Sequence, residues 1–450
     1  MTVITRPAVP EPQVWHFPQP EVITLANGLT LWVFHLPGQH VIAADLVIDL
    51  PLSVEPRNRE GVGLLCARVA DEGTLRHPGA AITEELERRG AAYSAHVWHT
   101  ATVCSLDVPS TRLADALPLF AEIVLEPAYA PTDVARHVAL RRSEIAHTRA
   151  SAPGSAAMAR RSVQFLDDSR FSRAVGGTED SIAGITAPDL HAFHDVHWRP
   201  DRATLVIAGD LPVDVVARLE AGFGSWAPAG HAGVPAAPDW RPATTTAGRR
   251  VVHLVDRPDA VQAEIRLCGR AIDRSDPRLS SLQVAATALG GSFLSRLNSV
   301  LREELGYTYG AHLGVAPMRS GGQWTASWSC RTEVTADALA HALDILALAE
   351  PLTREEVRDA VNYLVGVAPL RYDTAGGIAE QARSLAADAQ DADYPNRHFA
   401  RVAATTAEDA TGLVRELIRP DDCWIVVVGA AAELSPALSA AGFDVSPLVV

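Results

Sequence analysis

The sequence predicts an α+β fold built from two homologous units, each a mostly antiparallel β-sheet layered with helices. Three observations carry that expectation. RPDRATLVIAGD, beginning at Arg199, returns as RPDDCWIVVVGA at Arg419, with Val206 matching Val426 and Gly209 matching Gly429. A second echo sets GAAYSAH, residues 90–96, against GYTYGAH, residues 306–312. Between the repeats lies GSWAPAGHAGVPAAPDWRPATTTAG, residues 224–248, whose Pro, Ala, Gly and Thr content reads as an extended linker. Internal repetition of this kind marks a duplicated unit. The expected organisation is an N-terminal extension over 1–20, a first unit over 21–223, the linker over 224–248 and a second unit over 249–450.

Within each unit the element order is similar. Strands come first: LTLWVFH (29–35), after the hairpin signal Asn27-Gly28, and VIAADLVID (41–49). Their counterparts are RRVVHLVD and VQAEIRLC. Two helices follow, then a strand pair, a run of helices, a buried strand (ATLVIAG or CWIVVVG) and a closing helix. Helices grouped between adjacent strand pairs point to an antiparallel layer rather than an alternating βαβ fold, and neither half carries GxGxxG or a phosphate loop.

At 450 residues the chain exceeds one ordinary core. Hydrophobic residues at 48% and charged residues at 21% describe a globular rather than a disordered protein. A net charge of −15 excludes a nucleic-acid partner, because phosphates require a basic surface. All the basic residues are arginine, which reads as coding bias. No apolar run reaches the roughly 18 residues that cross a bilayer, and the proline-rich start lacks the apolar stretch of a secretory signal, so a cytoplasmic protein without membrane partners is expected. The cysteines at 66, 104, 268, 330 and 423 are too widely spaced for a zinc ribbon or a dithiol pair, and their apolar neighbours mark them as small buried hydrophobes.

The stretch GVGLLCARVADEGT, residues 61–74, raises a functional question. It predicts a helix on which Leu64, Ala67 and Arg68 share one face. None of the three is a usual metal ligand.

Two units of this size, the spacing of Gly61 and Thr74 around that helix, and LREELGYTYG in the second half together resemble the pitrilysin (insulinase) metallopeptidase family. The resemblance covers roughly residues 20–430 and is nearest to the half-length members, which pair two chains into a clamshell. In active members the first helix reads roughly GLAHFLEHMLFKGT, containing the inverted zinc motif H-x-x-E-H. Laid on that pattern, Leu64 and Arg68 replace the two histidines and Ala67 replaces the glutamate base. Zinc needs lone-pair donors and a carboxylate to take the proton of metal-bound water, which these residues do not supply. The family's third ligand falls on Glu144 in ARHVALRRSEIAH, and an auxiliary glutamate position holds His137. Glu144 then has two readings: an ion pair with Arg141 and Arg142, or a rebuilt metal site with His137 and His147, joined by His96 or His99. The series His191, His194 and His197 has a packing reading and a metal reading of the same kind.

In the second half the resemblance implies a substrate-binding pair at Arg302 and Tyr309, which would stabilise the oxyanion beside the scissile bond. Without it, Arg302 pairs with a neighbouring acid and Tyr309 is a strand residue, as its echo Tyr93 suggests. Tyr307 falls on a position that is usually apolar. The resemblance also implies a short glycine loop at Gly290 and Gly291. Together these features predict a non-catalytic subunit without its own metal, partnered by an H-x-x-E-H chain that holds zinc, with an unfolded peptide as substrate. The rivals are a structural subunit like the peptidase-like core proteins of respiratory complexes, and an enzyme active alone through an unrecognised metal site.

Overall fold

The computed structural model describes residues 15–227, 238–245 and 248–450. The first sheet contains β1 (Glu21–Thr24), β2 (Thr30–His35), β3 (Val41–Asp49), β4 (Ala92–Val97), β5 (Ala101–Pro109) and β6 (Ala203–Gly209), in the spatial order β1-β2-β6-β3-β5-β4. The predicted turn joins β1 to β2, with Gly28 at φ +91°, a left-handed backbone that favours glycine. Asn27 locks it by donating to the carbonyls of Phe223 (2.8 Å) and Trp226 (3.1 Å). Late in the unit, β6 slots between β2, parallel to it, and β3, antiparallel to it.

The second sheet repeats the plan with β7 (Val251–Asp256), β8 (Gln262–Ala271), β9 (His312–Met318), β10 (Gly321–Arg331), β11 (Trp424–Gly429) and β12 (Asp444–Pro447), ordered β12-β7-β11-β8-β10-β9. Both sheets are mixed and largely antiparallel, so the predicted α+β class of two similar units is the architecture found. They differ at one edge: β1 precedes its neighbour and runs antiparallel to it, whereas β12 closes the chain and runs parallel to β7.

The ladders also correct one detail of the repeat. Starting from the matched Val206 and Val426, the first sheet leads through Asp45 and Ser105 to Ser94. The second leads through Arg266 and Ser327 to His312. Tyr93 therefore occupies the place of Ala311, and its apparent counterpart Tyr309 lies two positions earlier, before β9 begins.

What welds the units is a reciprocal exchange of helices. Strand β3 is buried without interruption from Ile42 to Ile48, so the sheet is covered on both faces. One face meets the helices of its own unit, including α1 (Val62–Val69). The other meets a helix from the second half of the chain, Ala375–Ala387, whose Ile378, Ala382 and Leu385 pack on Phe34, Ala43 and Val206. In the opposite direction α2 (Pro131–Ala150) leads into α3 (Ala152–Gln164), which lays Ala156 and Ala159 on Val255, Val426 and Val428 of the second sheet. A small-residue stripe lets the helix backbone approach a sheet of valines closely. The buried carboxylate of Asp45 in β3 is met by Ser105 and, at 3.4 Å, by Arg383 of the incoming helix. Burial nevertheless raises its pKa against those partners.

Residues flanking the repeat join this scheme. Trp15 stacks on Tyr372 at 5.2 Å, and the Phe17 amide donates to Asn396 at 2.8 Å. At the ends of the predicted linker, Trp226 is buried in the first core and Trp240 packs on Phe165 at 4.7 Å. Residues 1–14 of the predicted extension, and 228–237 and 246–247 of the predicted linker, lie outside the described residues. Four of the cysteines are buried and Cys423 is half-buried, none in a disulfide, which fits the packing role expected of them. Among the described residues no helix is long and apolar enough to cross a membrane.

If the exchanged helix holds both units in one cooperative structure, Leu385→Ala lowers the stability of the whole chain by about 2–5 kcal/mol. A single denaturation transition shifted to lower denaturant is the expected result. Two separate transitions, with only one displaced, would contradict it.

Candidate functional site

Helix α1 begins at Gly61, whose φ of +99° turns the chain sharply into the helix. Its first amides are held by a buried carboxylate: Glu55 Oε1 accepts from the N–H groups of Gly61 (3.1 Å) and Gly63 (2.9 Å), and Arg170 neutralises Glu55 at 2.9 Å. The helix is thus rigidly placed, with Leu64, Leu65, Cys66 and Ala67 buried. Leu64 and Arg141 converge on Gly176, where a Cβ would lie 2.6 Å from the leucine Cδ2 and 2.4 Å from the arginine Nε.

Arg68 answers the question raised by the degenerate helix. Its Nη1 lies 2.8 and 2.9 Å from the two carboxylate oxygens of Glu144, carried by the facing α2. Arg141 reaches the same carboxylate at 3.0 Å and donates its Nε–H to the Gly176 carbonyl at 3.1 Å. Where the resemblance places a metal between these helices, a guanidinium bridges them. Arg142 turns instead to Glu179 at 3.0 Å, so of the two predicted partners of Glu144 only Arg141 serves, and the nearer contact comes from Arg68. Burial works to raise the pKa of Glu144, but the hydrogen bonds from Arg141 and Arg68 outweigh it and hold the carboxyl below its ordinary range. The pair's stabilisation is therefore present above the ordinary carboxylate pKa and lost as pH falls through the lowered value. With Glu144 42% and Arg68 35% exposed, it is worth at most about 1 kcal/mol.

The rebuilt metal site is not assembled. His137 is turned to Glu72 at 2.6 Å, which Arg136 also holds at 2.6 Å. His147 and His96 are exposed, and His99 stacks on Phe171 at 4.6 Å with its Nε2 against the Arg173 carbonyl. Burial pushes His99 down to about 3, so it is neutral at physiological pH. On α4 (Ala187–His197) the three histidines serve packing: His194 bonds the Val124 carbonyl at 2.8 Å, His191 sits edge-on to Tyr129, and His197 lies on Phe193. Among the described residues no group of three or more His, Cys, Asp or Glu side chains could hold a metal ion. Leu64 and Ala67 offer no donor, Arg68 is a cation and Glu144 is already bonded to two guanidiniums, so these residues do not fit zinc.

In the second half, Arg302 lies on a π-helical stretch, Ser299–Glu304, with its guanidinium carbon 3.8 Å from the centre of the Phe293 ring and its Nε 3.4 Å from Glu303. Tyr309 is 96% exposed. The turn that carries it is pinned by Asn298, which donates to the carbonyls of Ser292 and Ala311 and accepts from the Ala311 amide at 2.8 Å. Tyr307 instead packs against the second core. Gly290 and Gly291 end a second π-helical stretch, Thr287–Gly291, rather than forming a free loop. A Cβ on Gly290 would come within 2.5 Å of Leu313 Cβ, so packing against β9 alone demands glycine there. The exposed segment follows it, with Phe293 62% and Leu294 81% exposed. Sequence reasoning missed Phe293, whose only signal was a lone aromatic after two glycines. It also missed a cavity of about 360 Å³ between Gly291, His312, Tyr363 and Arg371, assembled from several separate stretches of the chain.

Restoring donors at the degenerate positions tests this geometry. Leu64→His with Arg68→His should bind zinc with Glu144 as third ligand, measured by calorimetry, whereas the single Arg68→His should not. Absence of zinc affinity in the double variant would mean that Glu144 does not face α1 as described.

Comparison with known proteins agrees with the fold. Residues 33–175 match the family described as insulinase (peptidase family M16), and residues 184–364 match the peptidase M16 inactive domain. A protein of Rickettsia bellii named an uncharacterized zinc protease is 25% identical over 344 residues, 75% of this chain and 80% of that one. The crystal structure of a peptidase M16 inactive domain from Pseudomonas fluorescens superposes with a TM-score of 0.84 at 23% identity, covering 96% of this chain and 100% of that one. A chain of complex III2 from Candida albicans shares the fold with a TM-score of 0.75 at 14% identity, covering 94% and 99%. Matched by both family profiles and sharing this fold nearly end to end, the chain belongs to the M16 (insulinase) peptidase family.

Proposed function

We propose that the protein is the non-catalytic, substrate-binding subunit of a heterodimeric zinc peptidase, working in the cytoplasm on unfolded peptides such as precursors or leaders. Its partner supplies H-x-x-E-H and zinc, and the two chains enclose the substrate. The observation that carries this reading is the Arg68–Glu144 bridge, which puts a fixed positive charge where the resemblance expects the metal. A chain so altered cannot activate water, yet it keeps Arg302 on a π-helical stretch and Tyr309 on the exposed turn that follows it in the other half. Tyr309 makes no packing contribution that would explain a ring almost wholly in solvent, and a phenol there is free to donate to a substrate carbonyl.

In this role the Phe293 ring holds the Arg302 guanidinium in place, and Arg302 and Tyr309 act as hydrogen-bond donors toward charge developing on the scissile carbonyl. Such donors act mainly in the transition state. A second reading, a structural subunit, is supported by the shared fold of the complex III2 chain and by the neighbours that already occupy Arg302.

Reconstitution with the catalytic partner separates the two. Arg302→Ala and Tyr309→Phe should each lower kcat by about 10²- to 10³-fold, with a smaller change in KM and unchanged assembly and zinc content. Normal turnover by a complex carrying both substitutions would favour the structural reading. Tyr93→Phe is not a matched control, since Tyr93 is a half-buried strand residue in the place of Ala311.

A further inference from the structure

Beside the Glu144 cluster lies a cavity of about 210 Å³ between the C-terminal half of α2 and the face of α3 that carries Met158 and Arg161. Four arginines line it, Arg141, Arg149, Arg161 and Arg173, against a single acidic side chain, Glu179, with the backbone carboxylate of Val450 also at the wall. Their partners divide them sharply. Arg141 is bonded to Glu144, Arg173 to both carboxylate oxygens of Glu60, and Glu179 is turned to Arg142. Neither Arg149 nor Arg161 has a carboxylate or hydrogen-bond partner for its side chain among the described residues.

Arg161 is the more telling of the two. It is half-buried, and burial together with the Arg160 and Arg170 cations pushes its guanidinium down to about 10. Arg160 and Arg170 each have their own partners, Gln323 and Glu55. A guanidinium taken out of water normally acquires a counter-charge, because an unpaired buried cation is costly. The missing counter-charge is most simply supplied by a ligand. Ile145, Met158, Val449 and Val450 form an apolar part of the lining, and the hydroxyl residues Thr148, Ser162, Ser172 and Thr178 complete it. A carboxylate attached to an aliphatic body satisfies both parts of the wall.

We propose that this cavity binds the C-terminal carboxylate of a peptide whose last side chain is aliphatic, with Arg161 and Arg149 on the carboxylate and Ile145 and Met158 on the side chain. The proposal deepens the substrate-binding reading and rests on it. It assigns the chain a preference for free peptide ends, held one helix turn from Glu144, that the Arg302–Tyr309 pair does not provide.

Calorimetry on the full chain tests it with N-acetyl-leucyl-valine and with the same dipeptide as its amide. The acid should bind at least about tenfold more tightly than the amide. Arg161→Met should abolish that preference, and Arg161→Lys, which keeps the charge, should retain part of it, with both variants showing the wild-type circular dichroism spectrum. Equal binding of acid and amide, no binding of either, or an unchanged preference in Arg161→Met would overturn the proposal. Inorganic phosphate binding more tightly than the acid would overturn it as well. Capture of a longer C-amidated peptide, measured in parallel, separates the levels: if it binds while the acid preference is absent, only the cavity assignment fails, and if it does not bind, the peptide-binding reading fails too.

Discussion

The structure depends on a covering constraint. Each six-stranded sheet is apolar on both faces, and each unit's own helices cover only one of them. The second face is closed by a helix from the opposite half: Ala375–Ala387 on the first sheet and α3 on the second. Burying a large aliphatic side chain contributes about 1.5–3 kcal/mol, so several such contacts outweigh any flexibility the connecting segment could offer. The duplication is therefore not two beads on a string. The position of α2 and α3, which carry Glu144 and the arginine cavity, is set by a sheet from the other half.

Within that frame the degenerate site is a problem of charge. A zinc site assembles negative or neutral donors around a dication. Here two guanidiniums surround one carboxylate, and the surrounding field opposes a second cation at the same place. The nearby Glu72–His137 contact follows the same logic, with acid and base on facing elements joined directly and no ion between them. Such half-exposed pairs contribute little to stability. What they do is join α1 to α2 directly, where the resemblance to the family expects a metal.

Much of the fold was legible because it rests on local signals. The Asn27-Gly28 turn, the apolar run of β3 on either side of Asp45 and the Arg199/Arg419 repeat each reflect backbone geometry or two-sided burial, which a linear pattern records. The exchange of helices was not legible. Ala156 and Ala159 look unremarkable in sequence, and their use appears only when a valine-rich sheet approaches them. The loss of the metal site could be read from Leu64, Ala67 and Arg68, but not that Arg68 would reach Glu144 across 76 positions of chain. The Tyr93–Tyr309 echo misled for a physical reason: two residues along a strand preserve the face, so a shifted repeat looks as good as a true one until the ladders fix the register.

The central proposal is that an ion pair stands in this chain where its family carries a metal, and that the chain has no hydrolytic chemistry of its own. The most direct measurement is the zinc content and peptidase activity of the purified chain without any partner, assayed with and without chelator. The account predicts no stoichiometric zinc and no peptide hydrolysis. One equivalent of tightly bound zinc together with chelator-sensitive cleavage would contradict it.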